Sequence, residues 1–361
     1  MCLIKPACQL AGFYLLKLIN SIVMLSLSSM NKEYNNVVLV IGNGFDLDLG
    51  LPTSYSSFIR SPYFDNHVST TQKGSDTWNS PPGSEYLFDF LYSQIDWKDS
   101  RHLDAKKWVD IENELINFAT RGNGMLSSSL EADEKEKKMF YLLQDELCNY
   151  LSNISYDNVN ENSYAIKVLN SVNNLLGEII SFNYTDLSKL NQFLSNPLKV
   201  PIEYVHGKLA DKTIILGVQD NVDFAPSYSF LIKTFSPHYK SHNVRKKLLN
   251  ADEIIFFGHS LGNTDYHYFQ ELFKRQSNPD IAKDNLFMRI FTFDEESRRN
   301  ILLQLREMND KRTNFLFDLC DFELYRTKDK QDDSKIEAYL EALKKRIHQG
   351  LKKSRKGIYY L

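Results

Sequence analysis

The sequence predicts an α/β protein: a doubly wound parallel sheet with helices on both faces and a large helical insertion after the first strand. Three observations carry this expectation. Unbroken apolar runs such as Val37–Ile41 and Glu253–Phe257 are rich in Val, Ile and Phe, as strands buried on both faces must be. Stretches with apolar residues at helical spacing fill most of the gaps between such runs. Residues 42–177 show helical patterns with no comparable strand run, far more chain than a single crossover needs.

Residues 1–30 hold Lys5 and then an apolar stretch from Leu10 to Leu27, interrupted by Lys17, Asn20 and Ser21. Met30 is followed at once by polar Asn31-Lys32-Glu33 and the first core strand, so this leader reads as a mis-assigned start. An amino-terminal anchor and a removable signal are the alternatives. After Val37–Ile41, helices are expected over Tyr86–Ile95, Trp108–Phe118, Asp133–Leu151 and Tyr164–Leu176, with a surface loop at Thr70–Gly83. They make residues 65–176 a helical insertion over the carboxyl edge of the sheet. Strands at Glu178–Phe182, Ile202–Val205, Thr213–Leu216, Glu253–Phe257, Met288–Phe293 and Asp321–Tyr325 follow. Among them lie helices at Leu187–Leu194, Tyr239–Asn250, Asp265–Arg275 and Glu295–Met308, and Lys335–Gln349 closes the chain within 331–361. The α/β core is therefore expected over 31–64 and 177–330.

Of the 361 residues 42% are hydrophobic and 25% charged, an ordinary balance for a globular chain long enough to bury a core. A net charge of −3 supplies no broad field toward nucleic acid or an anionic membrane, so direct nucleic-acid binding is not expected. Cys2, Cys8, Cys148 and Cys320 show no CxxC pair and no Cys/His ligand spacing. They indicate neither a zinc site nor a disulfide framework and suit a reducing, cytoplasmic setting.

Chemistry concentrates where strands end. Gly42-Asn43-Gly44-Phe45-Asp46 directly follows the first strand, and glycines there let backbone N–H groups approach a phosphate. The dinucleotide fingerprint would place a third glycine where Leu47 stands, Asp46 lies inside the turn, and no P-loop Lys-Ser/Thr follows. A tight turn without ligand is the competing reading. Asn183 and Asp186 follow the next strand and can act in a site or cap the following helix. His206-Gly207 ends another strand and offers a general base. Gly258-His259-Ser260-Leu261-Gly262 has the Gly-x-Ser-x-Gly form of a nucleophile elbow, and Asp294 would supply its acid. His267 comes too early to complete that triad, His348 lies in a basic helical pattern, and there is no His-Gly-Gly oxyanion segment.

Taken together these segments resemble the bacterial abortive-infection AbiH family. The resemblance rests on Gly42–Asp46 with Gly50-Leu51-Pro52-Thr53-Ser54-Tyr55, on Trp108-Val109-Asp110-Ile111-Glu112, and on Phe182–Asp186. Val205-His206-Gly207 and Gly258-His259-Ser260-Leu261-Gly262 with Asp265 complete it, over roughly residues 36–295. That family is in turn similar to the sirtuin-type, Rossmann-like NAD-binding fold of phage-defence NAD hydrolases. The resemblance implies an antiphage NAD or nucleotide glycohydrolase, with NAD as substrate or ligand and no metal. A non-catalytic nucleotide-sensing module and a serine hydrolase using Ser260 are the alternatives. It further implies that Gly42, Asn43, Gly44, Phe45, Gly258, His259, Ser260 and Asp265 bind the ligand. His206 would be the base, Asn183 would orient water, and Asp186 and Asp46 would complete the catalytic set, helped by Glu112 or Asp110 in enclosing the site. Asp46 stands where the wider group has a small polar residue, which makes it a candidate participant in the chemistry. A nucleotide-like small molecule, a phage trigger and a second copy of the chain are the expected partners.

Overall fold

A strand that is apolar on both faces must be covered twice, and the computed structural model of the protein arranges its helices accordingly. It describes residues 36–69, 87–94, 108–120, 130–223, 226–262 and 264–357; the expected leader and the Thr70–Gly83 loop lie outside these. Six strands form one parallel sheet: β1 (Val37–Ile41), β2 (Leu176–Ser181), β3 (Ile202–Tyr204), β4 (Glu253–Phe257), β5 (Phe287–Thr292) and β6 (Asp321–Arg326). Their order is β3-β2-β1-β4-β5-β6. The fully buried strands take the middle: every residue of β1 and of β4 is buried, whereas β6 at the edge is largely open.

Side chains alternate across a strand, and the two faces of β1 enter different cores. Val37, Leu39 and Ile41 join the larger one and Val38 and Val40 the smaller. Against the first face lie α1 (Asn43–Asp48), α2 (Tyr55–Ile59), α3 (Pro62–Asp65), α4 (Leu87–Ser93), α5 (Trp108–Thr120), α6 (Leu130–Ser152) and α7 (Tyr164–Val172). The opposite face is covered by α8 (Val244–Asn250), α9 (Tyr266–Gln276), α10 (Glu295–Met308) and α11 (Thr313–Leu319). The last helix, α12 (Lys330–Gly357), returns to the first face through Ile336, Tyr339, Leu340 and Leu343. It also neutralises a buried charge. Glu253, which opens β4 and is buried, accepts from Tyr339 Oη at 2.7 Å and pairs with Arg346 at 2.7 Å. No helix among the described residues is long and apolar enough to cross a membrane.

The expected strand at Thr213–Leu216 is not a strand. Gly207, at φ +84°, turns the chain so sharply that a Cβ there would lie 1.9 Å from Thr213 O. Thr213 and Ile215 consequently donate to Lys208 O (3.1 Å) and His206 O (2.8 Å), so the segment is bonded to the turn that precedes it and not to the sheet edge. The Leu187–Leu194 helix is a 3-10 helix over Leu187–Phe193, and the helix begun at Tyr164 stops at Val172 because Leu176 already belongs to β2.

Candidate functional site

Strand register places the sequence-marked segments on one edge. Ile41 pairs with both Ser181 and Phe257, Ser181 with Tyr204, and Phe257 with Phe291. Gly42, Asn183, His206 and Gly258 thus all follow the carboxyl ends of their strands. Between β1 and β4 the strand order reverses direction, the switch point where open α/β sheets place ligands.

At that point two loops lie backbone against backbone. Gly42 N–H donates to Phe257 O (3.0 Å) and Gly44 N–H to Gly258 O (2.9 Å), while Phe45 N–H returns to Gly42 O (2.9 Å). A Cβ on Gly44 would lie 2.7 Å from Gly258 Cα, and one on Gly258 2.3 Å from Gly44 C and Phe45 N. The bare backbone at these positions is required by the seam itself, before any ligand is considered. Asn43 beside it accepts from Thr53 Oγ1 at 2.7 Å, and its buried Nδ2 has no partner among the described residues. Such an orphaned donor is costly and marks a place where an acceptor fits.

Asp46 sits in the first turn of α1, 2% exposed. Thr185 Oγ1 donates to its two oxygens at 3.1 and 2.9 Å. Burial pushes this carboxyl up to about 7, against the lowering effect of hydrogen bonds from Thr185 and Asn183. Asn183 also donates Nδ2 to Gly42 O at 2.9 Å, so its amide ties Asp46 to the glycine seam. Asp186 is placed differently. It caps the 3-10 helix by accepting from Ser188 N–H at 2.9 Å and is only half-buried.

The densest chemistry surrounds Asp265, which stands at the N-cap of α9 without using its side chain as a cap. His206 Nε2 lies 3.1 Å from Asp265 Oδ1 and His259 Nε2 3.6 Å from Oδ2. Lys233 Nζ lies 2.7 Å from Glu112 Oε1 and 3.6 Å from Asp265 Oδ1. Burial would raise Asp265, but the Lys233 charge and the hydrogen bonds from His206 and His259 outweigh it and hold the carboxyl well below its usual range. Burial, and then the same lysine, depress His206 to about 4, so its imidazole is neutral at neutral pH. An ionised carboxylate only accepts, so His206 donates from Nε2 and keeps its lone pair on Nδ1. His259 is fixed likewise, Nδ1 accepting from Leu261 N–H at 2.9 Å. The Phe182 ring lies edge-on to both imidazoles, 5.5 Å from His206 and 4.5 Å from His259. Burial raises Glu112 to about 7, with Lys233 opposing and the Asp265 charge adding to the rise.

The structure therefore brings His206, His259 and Asp265 into one cluster and Asp46 with Asn183 into another, joined through the Gly42–Gly258 seam. Ser260 Oγ accepts from Gly262 N–H at 3.3 Å, and Asp294 accepts from Ser297 N–H to cap α10, so the two expected hydrolase groups serve local turns. The side chain of Asp110 and all of Asn263 lie outside the described residues. Lys233 is a member of this charged cluster that the sequence reading missed. Its only signal was a lone lysine within the apolar run Phe230-Leu231-Ile232-Lys233-Thr234-Phe235. Among the described residues no group of His, Cys, Asp and Glu side chains is placed to hold a metal ion.

Sheet order and site define a doubly wound α/β protein with a buried, charged cluster at its switch point. The family model for bacteriophage abortive infection AbiH matches residues 38–283, and the chain belongs to that family. It is thus an abortive-infection antiphage protein. A comparison with curated proteins finds no match.

Proposed function

We propose that this AbiH protein hydrolyses the N-glycosidic bond of a nucleotide-like substrate, with NAD the first to test. The observation that carries the reading is the neutral His206 held through Nε2 by an ionised Asp265, at the strand ends beside a carboxyl, Asp46, poised near pH 7. Perturbed acid and base groups gathered at a switch point are the usual composition of an active site. In the proposed step, water adds to the anomeric carbon and gives its proton to His206 Nδ1. The carbon–nitrogen bond breaks with its electron pair leaving on the nicotinamide. The Asp46 carboxylate stabilises the oxocarbenium-like charge. Asn183 acts here as a positioning residue for Asp46, and Asn43 Nδ2, without a partner among the described residues, receives a ligand oxygen. The 3-2-1-4-5-6 order is that of doubly wound dinucleotide-binding sheets and supports the sirtuin-type relation.

One observation favours the second reading, a nucleotide sensor without turnover. His206, Asp46 and Asn183 are 2–5% exposed, and the Gly42 and Gly44 N–H groups are already spent within the chain. Incubation with NAD separates the two. Nicotinamide release that His206→Gln abolishes and Ser260→Ala preserves supports hydrolysis. Saturable NAD binding with no release sinks hydrolysis and leaves the sensor.

A further inference from the structure

Away from the His206 cluster, a cavity of about 420 Å³ lies between α6 and the loops that carry Ile214–Leu216 and Ser236–His238. That volume falls within the roughly 300–1,000 Å³ of small-molecule sites. Part of its wall is apolar, where Phe140 and Phe230, with ring centroids 5.6 Å apart, line it together with Ile214 and Leu216, and part is polar, with Gln144 and Asn149. Two basic side chains, Lys212 and His238, stand against one acid, Asp145. Lys212 sits at φ +52°, in the left-handed region, so the loop holds it at this place despite the backbone strain.

The walls are also the segments that carry the charged cluster. Ile215, between the lining residues Ile214 and Leu216, donates to His206 O at 2.8 Å and accepts from Tyr184 Oη at 3.0 Å. From the same loop as Phe230, Lys233 N–H donates to Val218 O at 2.9 Å, and Val218 N–H to Leu231 O at 2.8 Å. A ligand seated here would press on the backbone that holds both His206 and Lys233.

We propose that this cavity is a second ligand site, for a small aromatic anion whose ring packs on Phe140 and Phe230 and whose charge meets Lys212. A nucleoside monophosphate and a non-nucleotide aryl phosphate share that chemistry, so the test uses AMP and 1-naphthyl phosphate as separate probes. Each is titrated calorimetrically, and its effect on iodoacetamide alkylation of Cys148, which lines the cavity, is followed by peptide mass mapping. Binding of at least one probe at one per chain, with Cys148 protected, is expected. AMP alone binding would identify a nucleotide site, and the naphthyl ester also binding an aryl-anion site; either supports the proposal. Lys212→Gly removes the charge while relieving the positive φ, and should weaken binding about tenfold, the size of one charge-assisted contact. Ile214→Trp should fill the cavity and abolish binding, with circular dichroism verifying that the fold persists. The proposal is overturned if neither probe binds wild type, if a bound probe leaves Cys148 alkylation unchanged, or if Lys212→Gly binds as tightly. These outcomes are independent of whether NAD is hydrolysed at His206.

Discussion

Asp46→Asn removes an ionisable proton from the buried turn after β1 while keeping the shape of the side chain and an oxygen to accept from Thr185. In the folded protein burial lifts the Asp46 carboxyl from 3.8 to about 7. Between those values the folded state binds a proton that the unfolded chain has already lost, so wild-type stability falls as pH rises and levels off above pH 7. Three units or so at about 1.4 kcal/mol each make a full penalty of about 4 kcal/mol, of which about 1.5 is incurred by pH 5. The amide carries no such penalty. Its stability relative to wild type should therefore grow by about 2.5 kcal/mol from pH 5 to pH 8. Urea unfolding of both proteins at the two pH values measures this, and titrations elsewhere cancel in the double difference. An Asn variant with the same relative stability at both pH values would refute a raised Asp46 carboxyl. The functional half of the test is restriction of phage plating by a host carrying each version. A carboxyl kept despite its cost should be missed there, so the more stable variant should protect less.

Lys233→Met leaves Glu112 and Asp265 buried without their shared cation and should cost about 3–5 kcal/mol; adding Glu112→Gln should restore part of it in thermal melts. Gly258→Ala should cost more than about 2 kcal/mol, because φ is +63° and the new Cβ meets Gly44 C and Phe45 N at 2.3 Å. Gly50→Ala, with φ +83° but its nearest atom 3.9 Å away, should lose only about 1 kcal/mol and serves as the control for strain alone. His206 is depressed from 6.5 to about 4, so its contribution is complete above pH 6.5 and drains as pH falls toward 4, by up to about 3 kcal/mol. His206→Gln should flatten that acid window when unfolding is compared at pH 7 and pH 4.5.

The central strands were legible because burial on both faces leaves an unbroken apolar run, as in Val37–Ile41 and in the four residues of β4 that follow Glu253. The glycines, Asn183, His206 and Asp265 were legible as residues following such runs. The Thr213–Leu216 run misled because its composition suits a strand, while the turn at Gly207 had already committed its donors to Lys208 and His206. Asp265 was placed with the ligand-binding residues, and only the fold sets it 3.1 Å from His206, fifty-nine positions back along the chain. Lys233 stood in an irregular stretch with no periodicity to betray it, and its partner Glu112 lies on a helix of the long insertion.

By itself, the sequence determined the parallel α/β class, the helical excursion between β1 and β2, the strand-end position of the candidate residues and the family. These follow from hydrophobic period and from residue types at turns, which neighbours along the chain encode. The tertiary structure alone decided the strand order, the backbone seam that requires Gly44 and Gly258, and the meeting of Lys233, Glu112, Asp265 and His206. It decided the protonation of that cluster too, because a buried group titrates according to the charges and donors within a few ångströms, and here those come from distant parts of the chain.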